Sequence, residues 1–241
     1  LQNYGKPYYK NLFEDYGFQL RFRQLTFLKK VRTPLSDRLS VRAEKALKDP
    51  NYNFKTLEKK NIDKYIKDFT KIYNEAWSKY PGVSKLELSQ ARLLFSQLKP
   101  ILDEKILWFA YYNNDPIGFF ISIPEMNQIF KHVNGKLDLI GKIKTFYHLK
   151  IKKSCKKMVG LVFGIVPKHQ GKGVDGALIM ASRETIQEKL GYEDLELNWI
   201  PDFNKSMIKV AEQVQVELGK VHHTYRFNFD RSIPVERITK K

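Results

Sequence analysis

The stretch GIVPKHQGKGVDGALI, residues 164–179, decides the fold of this 241-residue chain. Apolar residues lead into Pro167, a loop of glycines and lysines follows, and the Ala-Leu-Ile that comes next has helical spacing. Glycines let a backbone approach a phosphate closely, and the free N–H groups at the start of a helix bind anions. The stretch therefore predicts either an anion-binding strand–loop–helix or a plain turn from a strand into a helix.

The composition predicts a folded protein with a preference for polyanions. Hydrophobic residues make up 42% of the chain, and 43 basic residues against 26 acidic ones give a net charge of +17. Such an excess favours nucleic acid, an anionic membrane surface or a phosphate-rich cofactor. The densest lysine cluster, between Lys142 and Lys157, contains no arginine, on which the reading of bases relies. The charge permits nucleic acid, but we do not expect it as the main partner.

The apolar runs are far shorter than the roughly 20 residues that a membrane-spanning helix needs, so no membrane partner is expected. Cys155 is the only cysteine, which excludes an internal disulfide and fits a reducing, cytoplasmic compartment. The histidines and Cys155 lack metal-ligand spacing, so we expect no metal. The sequence leaves the oligomeric state open.

Outward from the loop, the pattern predicts one mixed α/β domain whose central sheet is largely antiparallel, with flanking helices. A hairpin precedes the loop, because two apolar runs flank Asn113-Asn114-Asp115. The predicted strands are 39–43, 106–112, 117–123, 159–166, 195–200 and 223–229, and the predicted helices are 61–79, 84–98, 174–190 and 203–218.

Residues 1–32 are predicted to form a separate short unit. A helical stretch ends at Gly17, and residues 18–29 then alternate as a strand does. One helix and one strand cannot bury a core, so this unit packs either on an upstream segment or on the domain that follows, residues 33–241.

The loop within residues 164–179 resembles the acyl-CoA pyrophosphate loop of the GNAT (GCN5-related N-acetyltransferase) superfamily. That pattern is a strand, Gln or Arg, two residues, Gly, one residue, Gly or Ala, and a helix. Gln170 and Gly173 match it, whereas Asp175 departs from the last position and Gly176 follows one step later. The strand 195–200 with the Asn after it also resembles the family, and the likeness covers roughly residues 38–230.

The resemblance is closest to large bacterial members built from two GNAT-like units. It implies a GNAT-like acyl-CoA N-acyltransferase fold. It also implies that residues 1–32 are the C-terminal helix–strand remnant of an upstream GNAT-like unit.

The activity that the resemblance implies is acetyl transfer from acetyl-CoA, a co-substrate, to an unidentified small-molecule or peptide amine, by direct attack in a ternary complex. A backbone N–H at Ile165 or Val166, where two parallel strands splay, would bind the thioester carbonyl. Asn204 resembles the family's cofactor-side Asn, and equally fits a helix N-cap. The implied cofactor-binding residues of the loop are Gln170, Gly171, Lys172, Gly173, Val174, Asp175 and Gly176.

The amine must lose a proton, and the departing thiolate takes one up. The positions that carry an acid and a Tyr in many GNAT members hold apolar residues here. Glu196 is the best substitute for the base and Tyr225 for the acid; an outward carboxylate and a packed ring are the other interpretations. Asp175 and these missing groups support an alternative function, a catalytically degenerate GNAT-like module that binds CoA or another polyanion through its basic surface.

Overall fold

A computed structural model describes residues 5–77 and 83–238. They form a mixed α/β domain around one seven-stranded sheet, in the order β2-β3-β4-β5-β6-β1-β7. The strands are β1 (Gln19–Lys30), β2 (Tyr52–Thr56), β3 (Leu107–Tyr112), β4 (Asp115–Pro124), β5 (Lys157–Ile165), β6 (Asp194–Pro201) and β7 (Glu217–Arg226). The helices are α1 (Tyr9–Tyr16), α2 (Asp37–Lys48), α3 (Ile62–Trp77), α4 (Leu88–Leu98), α5 (Asn127–Phe130), α6 (Leu139–Phe146), α7 (Val174–Glu184) and α8 (Lys205–Gln213).

The sheet is largely antiparallel, as predicted. Every neighbouring pair of strands runs antiparallel except β5 and β6, which pair in parallel. The chain between β5 and β6 contains the loop and α7, because a parallel connection must cross over the sheet. Helix α7 continues as a π-helical turn, Thr185–Leu190, and ends at Gly191, whose φ of 70° suits a C-cap glycine.

Helices cover both faces of the sheet and bury its apolar core. On one face, α3 buries Phe69 and Ile72, and the Phe69 ring lies 4.9 Å from that of Phe119 in β4. On the other face, α7 buries Val174 and Leu178. The predicted helices 61–79 and 84–98 correspond to α3 and α4, although residues 78 and 79 lie outside the described residues.

The prediction of a strand at 39–43 is wrong, because these residues belong to α2. Alternation suggested Leu39, Val41 and Ala43 as one strand face, but Val41 is exposed and the buried residues are Leu39, Ala43 and Ala46. Their spacing of four and three residues is that of a helix face. Small residues on this face let α2 pack closely on α7, where a Cβ at Gly176 would approach Leu39 and Ala43 within 3 Å.

The end of the chain also differs from the prediction. Helix α8 ends at Gln213 rather than at residue 218, and Gln215 adopts a φ of 56° where the chain reverses. Strand β7 then begins at Glu217, so Gly219 lies inside it. A Cβ at Gly219 would lie 2.6 Å from the Leu28 side chain, so the glycine permits close packing against β1 rather than ending a helix.

Residues 19–30 are a strand of the same sheet as the rest of the domain. Strand β1 lies between β6 and β7 and pairs antiparallel with both. Of the two packing partners considered for residues 1–32, the described structure therefore shows the domain that follows. The origin of this unit as the remnant of an upstream GNAT-like unit stays a prediction.

Candidate functional site

An opening forms where β5 and β6 separate. The two strands pair from Lys157–Asp194 as far as Gly160–Leu197, although both continue beyond these residues. The second half of β5 stays paired with β4, and the second half of β6 with β1. Each strand is thus held by its outer neighbour. The register of β5 against β4 also shifts by one residue at Leu161, which marks a β-bulge where the opening begins.

A cavity of about 1150 Å³ occupies this opening and reaches both faces of the sheet. A Cβ at Gly164 would meet the Trp77 indole of α3, so Gly164 faces the α3 side. The next residue of β5, Ile165, faces the α7–α8 side, because successive side chains of a strand point to opposite faces of the sheet. The α3 side of the cavity is lined by Tyr73, Ala76, Trp77 and Val83, and the α7–α8 side by Gln170, Gly171, Asp175, Asn204 and Val210.

The predicted loop lies at the α7 side of this cavity. A short 3₁₀ turn, Pro167–His169, follows β5, and Gly173 caps α7 with a φ of 85°. The Gln170 Nε2 donates to the Ile165 carbonyl at 2.8 Å, which ties the loop back to the end of β5. Within the described residues, the backbone N–H groups of residues 171–176 donate to no protein acceptor. They are therefore free to bind an anion.

Of the seven predicted loop residues, three line the cavity and four do not. Gln170, Gly171 and Asp175 line the cavity, whereas Lys172 is exposed outside it. Val174 is fully buried and Gly176 packs on α2, so these two can contribute only their N–H groups.

The charges on the α7–α8 side are mixed. Asp175 stands in the first turn of α7, where its carboxylate suits the helix dipole but opposes a bound anion. Arg42 of α2 and Lys209 of α8 also line the cavity, and Arg42 donates to the Gln213 Oε1 at 3.0 Å.

Arg42 is absent from the residues predicted for the site, because the alternation of residues 39–43 indicates a strand. Leu39, Ala43 and Ala46 also have the spacing of a helix face, and this alternative pattern in the sequence would have placed Arg42 on a helix.

The two backbone donors predicted for the thioester carbonyl differ. The Val166 N–H donates to the Ile117 carbonyl at 2.9 Å, so its prediction as a free donor is wrong. In an antiparallel pair, successive N–H groups point to opposite sides, so the Ile165 N–H points away from β4. That direction is towards β6, which no longer pairs with β5 there. Ile165 stays the predicted donor.

The structure argues against Glu196 as the catalytic base. Its carboxylate accepts from the Lys157 ammonium and from the Lys220 Nζ at 2.7 Å. Burial alone would raise the pKa of Glu196, but the hydrogen bonds from these two lysines hold the pKa below its usual value. Glu196 is also absent from the cavity wall. An ionised carboxylate in a double ion pair is a poor proton acceptor, so this geometry disfavours Glu196 as the base, and its catalytic role stays a prediction.

We expect Glu196→Gln to lower stability and leave activity nearly unchanged. The side chains of Glu196 and Lys157 are 12% and 21% exposed, and the substitution leaves this lysine without its partner. Loss of one partner of a mostly buried pair costs about 1–3 kcal/mol of unfolding free energy. Urea denaturation measures this loss, with Asp194→Asn as the control, since its pair with Lys30 is exposed to solvent and contributes little to stability. A fall in kcat of about a hundredfold would restore Glu196 as a base.

Tyr225 lines the cavity, but its hydroxyl donates to the Glu14 Oε1 at 3.0 Å and its ring stacks on Phe13. Burial and this hydrogen bond raise the pKa of Tyr225, so the phenol stays protonated. Its role as the acid stays a prediction.

The Asn204 Oδ1 accepts from the Met207 N–H at 3.2 Å, so Asn204 is the N-cap of α8. Asn204 also lines the cavity, and its cofactor role stays a prediction.

No helix among the described residues is both long enough and apolar enough to cross a bilayer. The same residues contain no group of three or more His, Cys, Asp or Glu side chains placed to hold a metal ion.

No protein-family model matches the sequence. A search of curated proteins finds the bacterial ceramide synthase of Caulobacter vibrioides, 29% identical over 174 residues, which are 70% of this chain and 44% of that protein. The chain therefore spans less than half the length of this relative.

Solved structures with the same fold include a GCN5-related N-acetyltransferase from Sphaerobacter thermophilus, with a TM-score of 0.60 and 8% identity over 91% of this chain and 56% of that one. A tandem GNAT protein from the clavulanic acid biosynthesis pathway has a TM-score of 0.56 and 10% identity, over 92% of this chain and 59% of that one. At these identities the likeness concerns the fold. The chain therefore has the fold of the GCN5-related N-acetyltransferases, which the resemblance of its loop predicts.

Proposed function

We propose that the chain is an acyl-CoA-dependent N-acyltransferase, which transfers an acyl group from a CoA thioester to an amine. One observation carries this proposal: a large cavity passes through the sheet between β5 and β6, with unpartnered backbone N–H groups at one side of it. Two substrates can enter such a cavity from opposite faces and meet at the strands. A plain turn from a strand into a helix requires no such opening.

The α7–α8 side suits the CoA thioester. The free N–H groups of residues 171–176 would hold the pyrophosphate at the start of α7, with Arg42 and Lys209 supplying positive charge nearby. The acyl group would extend along β5 towards the opening, where the Ile165 N–H would bind the thioester carbonyl. A donor of this kind stabilises the developing oxyanion by about 2.7–4 kcal/mol in a well-studied protease.

The α3 side suits an amine that carries a long apolar chain. Tyr73 and Trp77 stack with ring centroids 5.6 Å apart, and Val83 and Val162 continue the apolar wall. The Caulobacter relative is named a ceramide synthase, and a ceramide is the amide of a long-chain amine. The cavity volume exceeds the about 300–1000 Å³ of typical small-molecule sites, as a site that holds both a CoA thioester and an acceptor requires.

The reaction is a direct displacement. The neutral amine nitrogen attacks the thioester carbon, the C–N bond forms, the C–S bond breaks, and CoA leaves as a thiolate. The amine proton passes to cavity water and the thiolate is protonated in turn, by water or by Tyr225. Because Glu196 is already ionised and paired, the rate is expected to rise with pH as more of the acceptor amine becomes neutral.

The alternative is a module that binds CoA or another polyanion without catalysis. Two observations favour it. The Asp175 carboxylate lines the α7–α8 side of the cavity, where an anion would bind, and the Glu196 carboxylate is paired with two lysines. The two functions differ in one measurable respect, the formation of an amide.

The experiment incubates the purified chain with acetyl-, octanoyl- or palmitoyl-CoA and with a short or a long-chain primary amine, and measures the amide by mass spectrometry. Calorimetric titration with CoA is run in parallel. We expect saturable CoA binding and amide formation with the long-chain amine. CoA binding without any amide would favour the binding module, and the absence of CoA binding would contradict the proposed cofactor site.

A further inference from the structure

A surface segment between β4 and β5 exposes an unusual apolar face. The segment, residues 136–153, contains α6 and the π-helical turn Tyr147–Ile151 that continues it. Its apolar side chains are exposed by fractions that run from 47% for Tyr147 to 74% for Leu139. These side chains are Leu137, Leu139, Ile140, Ile143, Phe146, Tyr147 and Ile151.

The apolar side chains of the helix lie on one side of it. At 3.6 residues per turn, those of α6, from Leu139 to Phe146, fall within an arc of about 120°. The opposite side faces the protein and carries small or polar residues: Gly141 is buried, the Thr145 hydroxyl is buried, and His148 stacks on His132 at 4.0 Å. The orientation is therefore fixed by packing, and the apolar face points to the solvent.

Lysines surround this apolar face. Lys136, Lys142, Lys144, Lys150, Lys152 and Lys153 lie in the segment, against a single acidic residue, Asp138. The Asp138 side chain is the N-cap of α6, where it accepts a hydrogen bond from the Gly141 N–H at 2.8 Å. Within the described part of the chain, none of these six lysines forms a salt bridge.

We propose that residues 136–153 dock the protein on the surface of an anionic lipid bilayer. A helix with an apolar outer face and lysines beside it lies in the plane of the interface, with its apolar side chains among the acyl chains. Each lysine close to an anionic surface strengthens the attraction, and its alkyl stem can follow the apolar surface while the ammonium reaches the headgroups. A short surface helix docks without spanning, so this proposal replaces the expectation of no membrane partner.

The position of the segment leaves the cofactor side free. The segment joins the sheet at the end of β4 and the start of β5, whereas the loop of residues 170–176 follows the end of β5. Strand β5 is nine residues long, so its two ends lie about 26 Å apart. A docked protein would therefore keep the loop in contact with the aqueous phase.

The test is sedimentation of the whole chain with phosphatidylcholine vesicles, with and without phosphatidylglycerol. We expect binding to the mixed vesicles, weak binding to phosphatidylcholine alone, and loss of binding as salt rises. The apolar variant Ile140→Ser/Ile143→Ser/Phe146→Ser is expected to weaken binding at least about tenfold. The charge variant Lys142→Glu/Lys144→Glu is expected to weaken it by a similar factor or more.

Matched controls lie on other helices. Leu93→Ser removes an apolar side chain of α4 that is 60% exposed, and Lys45→Glu/Lys48→Glu changes the net charge of α2 by the same amount. Both controls are expected to bind vesicles as the parent does. Equal weakening by the controls, or no binding of the parent, would overturn the proposal. Self-association that the apolar variant abolishes, without vesicle binding, would assign the face to a second protein and also overturn it.

Discussion

Gly173→Ala is expected to abolish measurable CoA binding. Gly173 has a φ of 85°, and a Cβ there would lie 2.3 Å from the Arg42 carbonyl oxygen, a backbone atom of α2 that cannot move aside cheaply. The left-handed conformation alone costs an alanine roughly 1–2 kcal/mol. Relief of the overlap must shift the loop, and with it the N–H groups of residues 171–176. Loss of two hydrogen bonds to a charged phosphate, about 1.5–3 kcal/mol each, weakens binding at least about a hundredfold.

The control for Gly173→Ala is Gly135→Ala. Gly135 has a φ of 72°, but a Cβ there would meet no atom within 4 Å, and the residue does not line the cavity. This control carries the conformational cost without the overlap and is expected to bind CoA as the parent does. Calorimetric titration and thermal unfolding of both variants separate the two effects. Parent-like CoA binding by a folded Gly173→Ala variant would place the cofactor elsewhere.

The sequence predicts those elements whose pattern comes from a single chain segment. Local periodicity and turn residues predict the hairpin of β3 and β4, the strand–loop–helix at the loop, and the amphipathic α3. The assignment of residues 39–43 fails for a physical reason, since five residues with alternate apolar side chains satisfy a strand and one turn of a helix equally well. Only the partner, α7, shows which side chains of α2 are buried.

The candidate site depends on pairing between distant strands, which local patterns do not contain. The loop and the apolar strand before it can be predicted from the sequence. The opening arises because the second half of β5 stays paired with β4, while the second half of β6 stays paired with β1. The same cause places the ion pairs of Glu196 beyond local patterns. Glu196 has apolar neighbours in the sequence, whereas Lys157 of β5 and Lys220 of β7, both distant in sequence, pair with its carboxylate.

Trp77→Ala is expected to reduce kcat/KM for a long-chain amine about tenfold to a hundredfold, mainly through KM. Trp77 stacks on Tyr73 and its indole lies beside Gly164, at the α3 side of the opening. Contact with an apolar chain of this size contributes about 1.5–3 kcal/mol, which corresponds to this range of factors. Because the proposed acceptor would contact Trp77 equally in the bound state and in the transition state, loss of the indole is expected to raise KM more than it lowers kcat.

A short amine is the internal control for Trp77→Ala, because it reaches the thioester without filling the α3 side. Its kcat/KM is expected to stay close to that of the parent. The affinity for CoA, whose proposed site is on the α7–α8 side, is also expected to stay unchanged. Trp77→Phe keeps an aromatic ring against Tyr73 and is expected to recover most of the activity with the long-chain amine. An equal loss for short and long amines would assign Trp77 to general packing. A loss of CoA affinity instead would mean that the donor, and not the acceptor, occupies the α3 side of the sheet.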